Sequence, residues 1–261
     1  MKLPKLENWV KTRDSLRLAL EPLRSARLEG TSELPNALHH ALFPHFAGAR
    51  TGPLSFGGEL FLDYTTQKIV FRQNEKKVFE VPLAGYSQKY LFQQTAEEFK
   101  KLNINISPYK DKVESGEELD INPEHAEKYA QLQFRVFNAM ARARGHFFGV
   151  QTPISIWPHG FDLSTVWFPG GADESRDPHM NFGFSPGYAG IDEPYLYFYA
   201  WPVPQGLLET ELPMGGFWYK DWATPTAVIL LSSFAGSENP DREITKIFLD
   251  SYWEVSPKLS G

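Results

Sequence analysis

The sequence predicts an α+β fold, mostly antiparallel β-sheet with packed amphipathic helices. Four segments carry apolar residues at helical spacing, while two early segments and a long C-terminal region alternate or break into short aromatic runs. Strands follow strands, with no regular strand–helix–strand alternation, which argues against a doubly wound parallel sheet.

The first helical pattern covers Asn8 to Leu28, with Trp9, Leu16, Leu20, Leu23 and Arg27 three, four or seven apart and Gly30 as a stop just beyond. Pro22 lacks an N–H and crowds the carbonyl four residues back, so this segment is either kinked or two short helices. Rough alternation over His40 to Phe46 leads into the turn-rich Thr51–Gly58. Glu59 to Arg72 and Lys77 to Leu83 follow as strands of a small antiparallel meander. There Leu60, Leu62 and Tyr64 face one way and Phe61, Asp63 and Thr65 the other.

Ser87 caps a predicted helix to about Leu102, with Phe92, Ala96 and Phe99 on one face. Ser107 to Asp120, rich in charge and poor in apolar residues, reads as a solvated loop. The chain is thus expected to form one compact domain over 1–261, with 107–121 as the meeting point if it divides in two. Asn122-Pro123-Glu124 combines a cap, a first-turn proline and a first-turn acid, and opens a long helix to Arg144. Its buried stripe is Tyr129, Leu132, Val136, Met140 and Ala143. Arg135, Arg142, Arg144 and His146 make its second half basic, which suits the negative helix end or, alternatively, an anion. Phe147 to Leu231 predicts several β segments joined by structured loops, and Asn239-Pro240-Asp241 opens a last helix through Ile244, Phe248, Ser251 and Tyr252.

Composition narrows the function. There is no cysteine among the 261 residues, which excludes a thiolate enzyme, a disulfide scaffold and Cys-ligated metal centres. Lys and Arg number 26 against 32 Asp and Glu, with no long like-charge block, so no nucleic-acid partner is expected. The longest apolar stretches, Tyr195 to Val203 and Ala227 to Leu231, fall far short of the roughly 20 residues of a membrane helix, so no membrane partner is expected. No apolar run follows the lysines of the N-terminal MKLPKLENWVKTR, and a cytoplasmic location is expected.

Two stretches concentrate ionisable groups among rings and turn formers: Ile156-Trp-Pro-His159-Gly-Phe-Asp162-Leu163, and Asn181 to Pro202. Among aromatics, each such group must find a partner or shift its pKa. As a strand, Tyr195 to Trp201 puts Tyr195, Tyr197, Tyr199 and Trp201 on one face and Leu196, Phe198 and Ala200 on the other. The phenols then form either a ligand wall or half-buried groups bonded to backbone. His159 and Asp162 can meet if the chain turns between them, giving a loop lock, a general base or a metal ligand. Consecutive Asp192 and Glu193 cannot both serve one site, and Pro194 favours Glu193. Asp162 with Glu193 is a conceivable acid/base pair of the glycosidase type. His159, Asp162, His179 and Glu193 are permissible metal ligands, but no close ligand spacing supports a site, and none is assigned. Gly183 to Gly190 lacks the Lys-Ser/Thr of a phosphate loop, and no Gly-x-Ser-x-Gly elbow occurs.

Those two stretches, with Trp9…Thr12-Arg-Asp-Ser-Leu16 and the Gly52-Pro53…Gly57-Gly58 turn, resemble the uncharacterised, mainly bacterial domain-of-unknown-function family numbered five-nine-nine-six. The resemblance runs over most of the chain in the same order, and it implies no catalytic role or cofactor.

The expected site is therefore an aromatic small-molecule pocket. Trp157, Phe161, Ser185, Tyr195, Tyr197 and Tyr199 would contact the ligand, and His159, Asp162 and Glu193 would supply any catalysis. The ligand is expected to be polar-aromatic or sugar-like. The alternatives are a metal- or carboxylate-dependent hydrolase, and a protein-interaction module using the tyrosine face. The sequence names no reaction, cofactor or oligomeric state.

Overall fold

Pro22 splits the first helical stripe in two in the structure, a computed structural model that describes residues 2–111, 113, 115–188 and 190–259, without the side chain of Asp111. The helices are α1 (Val10–Leu18) and α2 (Glu21–Gly30), and Pro22 sits in the first turn of α2, where its missing N–H breaks no intrahelical bond. Strands β1 (Phe43–His45), β2 (Gly48–Arg50), β3 (Glu59–Asp63), β4 (Lys68–Gln73) and β5 (Lys76–Pro82) come next, followed by α3 (Gln88–Lys101) and α4 (Pro123–Arg144). The remainder comprises β6 (Val150–Gln151), β7 (Ser155–Trp157), β8 (Asp162–Phe168), β9 (His179–Ser185), β10 (Tyr195–Trp201), β11 (Phe217–Tyr219), β12 (Thr226–Leu230) and α5 (Pro240–Leu259). The fold is α+β, with every pairing between these strands that is described below antiparallel.

The backbone groups into two units, one of Leu6–Phe134 with Ile156–Phe161, the other of Met1–Lys5, Arg135–Ser155 and Asp162–Gly261. The division runs through α4, and the 107–121 passage lies inside the first unit. Lys112 and Glu114 of that passage, and Ala189 of the later glycine-rich stretch, lie outside the described residues.

In the N-terminal unit, β1 to β5 form a meander in sequence order. Leu60, Leu62, Ile69, Phe71, Phe79 and Val81 point inward on alternate positions and are all buried. The Phe99 ring of α3 meets Phe71 at 5.0 Å and Phe79 at 5.1 Å, edge-on in both cases. The β4–β5 hairpin turns through Asn74 and Glu75, both left-handed, the backbone that a two-residue turn needs to match strand twist. Gly58 has φ +84°, and a Cβ there would lie 2.4 Å from the Arg72 carbonyl oxygen, so only glycine fits. The predicted caps form: Ser87 Oγ accepts from the Tyr90 N–H, and Asn122 Oδ1 accepts from the Glu124 and His125 N–H groups. The segment Ile156–Phe161 joins this unit through a two-way backbone bridge between Ile156 and Leu42.

In the C-terminal unit the sheet runs β11-β12-β10-β9-β8-β6. One face presents Leu196, Phe198 and Ala200 of β10 beside Met180, Phe182 and Phe184 of β9, and Phe248 of α5 packs edge-on to Phe182 at 6.0 Å. Tyr252 of α5 stacks on Phe147 at 4.3 Å, and its hydroxyl accepts from the Phe148 N–H. Arg135 on the basic half of α4 grips Asp241 on the first turn of α5 through Nε (3.0 Å) and Nη2 (2.7 Å), and its Nη1 donates to the Lys2 carbonyl. That arginine joins two helices; further along the basic stripe Arg142 is exposed and Arg144 is half-buried, with its Nε sealed.

Candidate functional site on the C-terminal sheet

The opposite face of the same sheet is polar because of strand period and register. Tyr195, Tyr197, Tyr199 and Trp201 of β10 stand directly opposite Ser185, Gly183, Asn181 and His179 of β9, and Gly183 stands opposite Ser164 of β8. Asp162 opens β8 two residues before Ser164, so its side chain joins this face.

Gly183 decides the local geometry. The Tyr197 ring lies over it so closely that a Cβ on Gly183 would be 2.2 Å from the ring. With nothing in between, Tyr197 reaches across β9, and its hydroxyl donates to Asp162 Oδ2 at 2.5 Å. Ser164 also hydrogen-bonds this phenol. Burial first, then the negative charge of Asp162 and the bond to it, push Tyr197 well above the usual phenol range, so it stays a donor at neutral pH.

One step along the strand, the Tyr199 hydroxyl accepts from Asn181 Nδ2 at 3.1 Å and points at Glu174 Oε1 at 3.4 Å. Burial, followed by the Glu174 charge, raises its pKa as well. Asn181 is buried, and its Oδ1 has no hydrogen-bond partner. An amide oxygen sealed there without a partner carries a desolvation cost at the foot of the tyrosine pair. His179 is buried beside it. Its Nδ1 faces the Asp177 carbonyl at 2.9 Å and must carry a hydrogen, and its ring lies 5.8 Å from the roughly parallel Trp201 ring. At the other end of β10, rings continue from Tyr197 to Tyr195 (6.2 Å), Trp222 (6.2 Å) and Tyr219 (4.5 Å).

Among the residues singled out from sequence, Asp162, Tyr197 and Tyr199 share this hydrogen-bonded face, with Tyr195 adjoining. Ser185 is buried, and its hydroxyl accepts from the Gly187 N–H in the turn after β9. Glu193 Oε1 accepts from Ser232 Oγ at 2.7 Å, just ahead of β10. Trp157, His159 and Phe161 belong to the N-terminal unit. The chain does turn there: the Phe161 N–H bonds the Trp157 carbonyl at 2.7 Å, leaving His159 exposed at the tip with its ring 6.2 Å from Trp157. Phe161 is fully buried between Tyr129 (4.9 Å) and Tyr64 (5.9 Å), and its carbonyl accepts from the Tyr129 hydroxyl.

Residues 2–261 match the model of a family of unknown function, DUF5996. The chain belongs to that family. No curated protein and no solved structure matches this DUF5996 chain. Among its described residues, no group of three or more His, Asp or Glu side chains is disposed to hold a metal ion, and no helix is long and apolar enough to cross a membrane.

Ser164, Glu174, Asn181 and His179 complete the polar face, though sequence reasoning passed over the first three. Their signal is positional: Asn181 and His179 alternate with core residues on β9 exactly as the tyrosines do on β10, but only the strand register reveals that the two rows coincide.

Proposed function

We propose that the tyrosine face of this DUF5996 protein binds a small, uncharged, sugar-like molecule. The observation that carries this reading is the Tyr197–Asp162 hydrogen bond beside the Tyr199–Asn181–Glu174 group, where Tyr197 and Tyr199 are only half-buried. Sugar hydroxyls need paired donors and acceptors next to flat rings, and this surface supplies both. Asp162 and Glu174 are the acceptors, Asn181 Nδ2 has a second hydrogen to donate beyond the one given to Tyr199, and Tyr199 and Trp201 provide ring surfaces. Two carboxylates disfavour an anionic ligand through like-charge repulsion.

In this reading Asp162 anchors a ligand hydroxyl, and Tyr195 and Glu193 flank the site. Saturation-transfer NMR with a panel of neutral mono- and disaccharides tests it. Signal is expected for a subset of sugars with the wild type and is lost in Asp162→Asn and Tyr199→Phe proteins that remain folded. Equal signal in the variants would place any binding elsewhere.

A further inference from the structure

A second group of polar side chains lies in the N-terminal unit, and it has the opposite charge. Arg24 on α2 is 8% exposed, and its guanidinium stacks 3.6 Å over the Tyr109 ring. Its Nε points to His40 Nδ1 at 3.5 Å. Its two terminal nitrogens donate to no acceptor among the described residues, and no carboxylate of those residues lies within ion-pair distance of it.

The surroundings are basic. The His40 ring is 4.3 Å from His39 and 4.9 Å from Tyr109, and Lys110 Nζ lies 5.1 Å from the same Tyr109 ring. The turn tip at His159 is close enough for its charge to act on His40. Lys110 and His159 are the exposed members of the group. Among the described residues the acid acting on Arg24 is Glu21, whose Oε1 accepts from Ser25 Oγ and from the Tyr109 N–H. It acts on Arg24 from beyond ion-pair distance.

We propose that Arg24, His39, His40, Lys110 and His159 form a binding site for a small phosphate-type oxyanion, with the terminal nitrogens of Arg24 as its floor. A planar guanidinium with two free donors matches two oxygens of such an anion, and imidazoles and an ammonium around it complete a tetrahedral shell. The group draws on other residues than the tyrosine face and does not depend on the sugar reading. Its protonation follows from the same geometry. Burial first, then the charges of Arg24, His39, Lys110 and His159, hold His40 down at about 4, and a bound dianion would reverse that field.

Histidine-ring NMR of the full chain, titrated with acid in chloride buffer and again with inorganic phosphate, tests this. The His40 pKa is expected to rise by more than about one unit with phosphate present, as an opposite charge within bonding distance demands. Arg24→Met should weaken phosphate binding at least about tenfold, the loss of a charge-assisted pair. Since Arg24→Met also removes a packed side chain, Lys110→Ala at an exposed position provides a second variant, expected to weaken binding severalfold with an unchanged fold. A His40 titration curve indifferent to phosphate, or phosphate affinity unchanged in Lys110→Ala and in folded Arg24→Met, would overturn the proposal.

Discussion

The Tyr197 hydroxyl reaches Asp162 at 2.5 Å across a strand whose intervening residue, Gly183, has no side chain to stop it. A neutral donor meets a charged acceptor on a half-buried face, so the bond is worth more than an ordinary neutral pair. Tyr197→Phe should cost about 1–3 kcal/mol in urea unfolding, and the double-mutant cycle with Asp162→Asn should show a coupling of about 0.5–3 kcal/mol. Zero coupling would mean that the two side chains act independently.

Gly183→Ala tests the same relationship from below. The added methyl would sit 2.2 Å from the Tyr197 ring, so the ring must lift and the hydroxyl must leave Asp162. We expect a loss of about 1–3 kcal/mol from overpacking, plus a Tyr197 phenol that titrates closer to its ordinary range. Both are readable by chemical denaturation and tyrosine ultraviolet titration.

The turn Trp157–Phe161 separates a structural residue from an available one. Phe161→Ala removes a fully buried ring from the Tyr64–Tyr129 cluster and should cost about 3–5 kcal/mol. His159→Ala, at the exposed tip, should stay within about 0.5 kcal/mol of wild type. Thermal unfolding of both variants checks the contrast.

These residues also show what a linear sequence reveals. Ser87, Asn122 and Asn239 are legible as helix caps because a cap is satisfied within three residues of itself. The two faces of Tyr195–Trp201 are legible because strand period is local. Glu174 and Asn181 are not, because their partnership with Tyr199 depends on strand register and on a loop that brings Glu174 back over the sheet. Phe161 neighbours His159 in sequence, but its left-handed backbone turns it into a core that the sequence does not announce. The unit boundary within α4 is equally hidden, since the helix runs unbroken through it.

His40 gives the fold a pH signature. Its folded pKa of about 4 lies below the ordinary 6.5, so above 6.5 neither state holds the proton and stability is unaffected. As pH falls through 6.5 the unfolded chain takes up the proton first, and stability declines until it levels off below about 4. Denaturation midpoints measured between about pH 7 and 4 should fall more steeply for the wild type than for His40→Gln. Parallel profiles would contradict the assignment.

If the tyrosine face receives a neutral polyhydroxylated ligand, the ring carbons that bear the phenol oxygens report on it directly. In protein labelled at those carbons, a binding sugar should shift Tyr197 and Tyr199 together, at the same sugar concentration that saturates the transfer signal, with Tyr64 in the core unmoved. Sugars that bind while Tyr197 and Tyr199 stay fixed, or no binding across the panel, would contradict that reading.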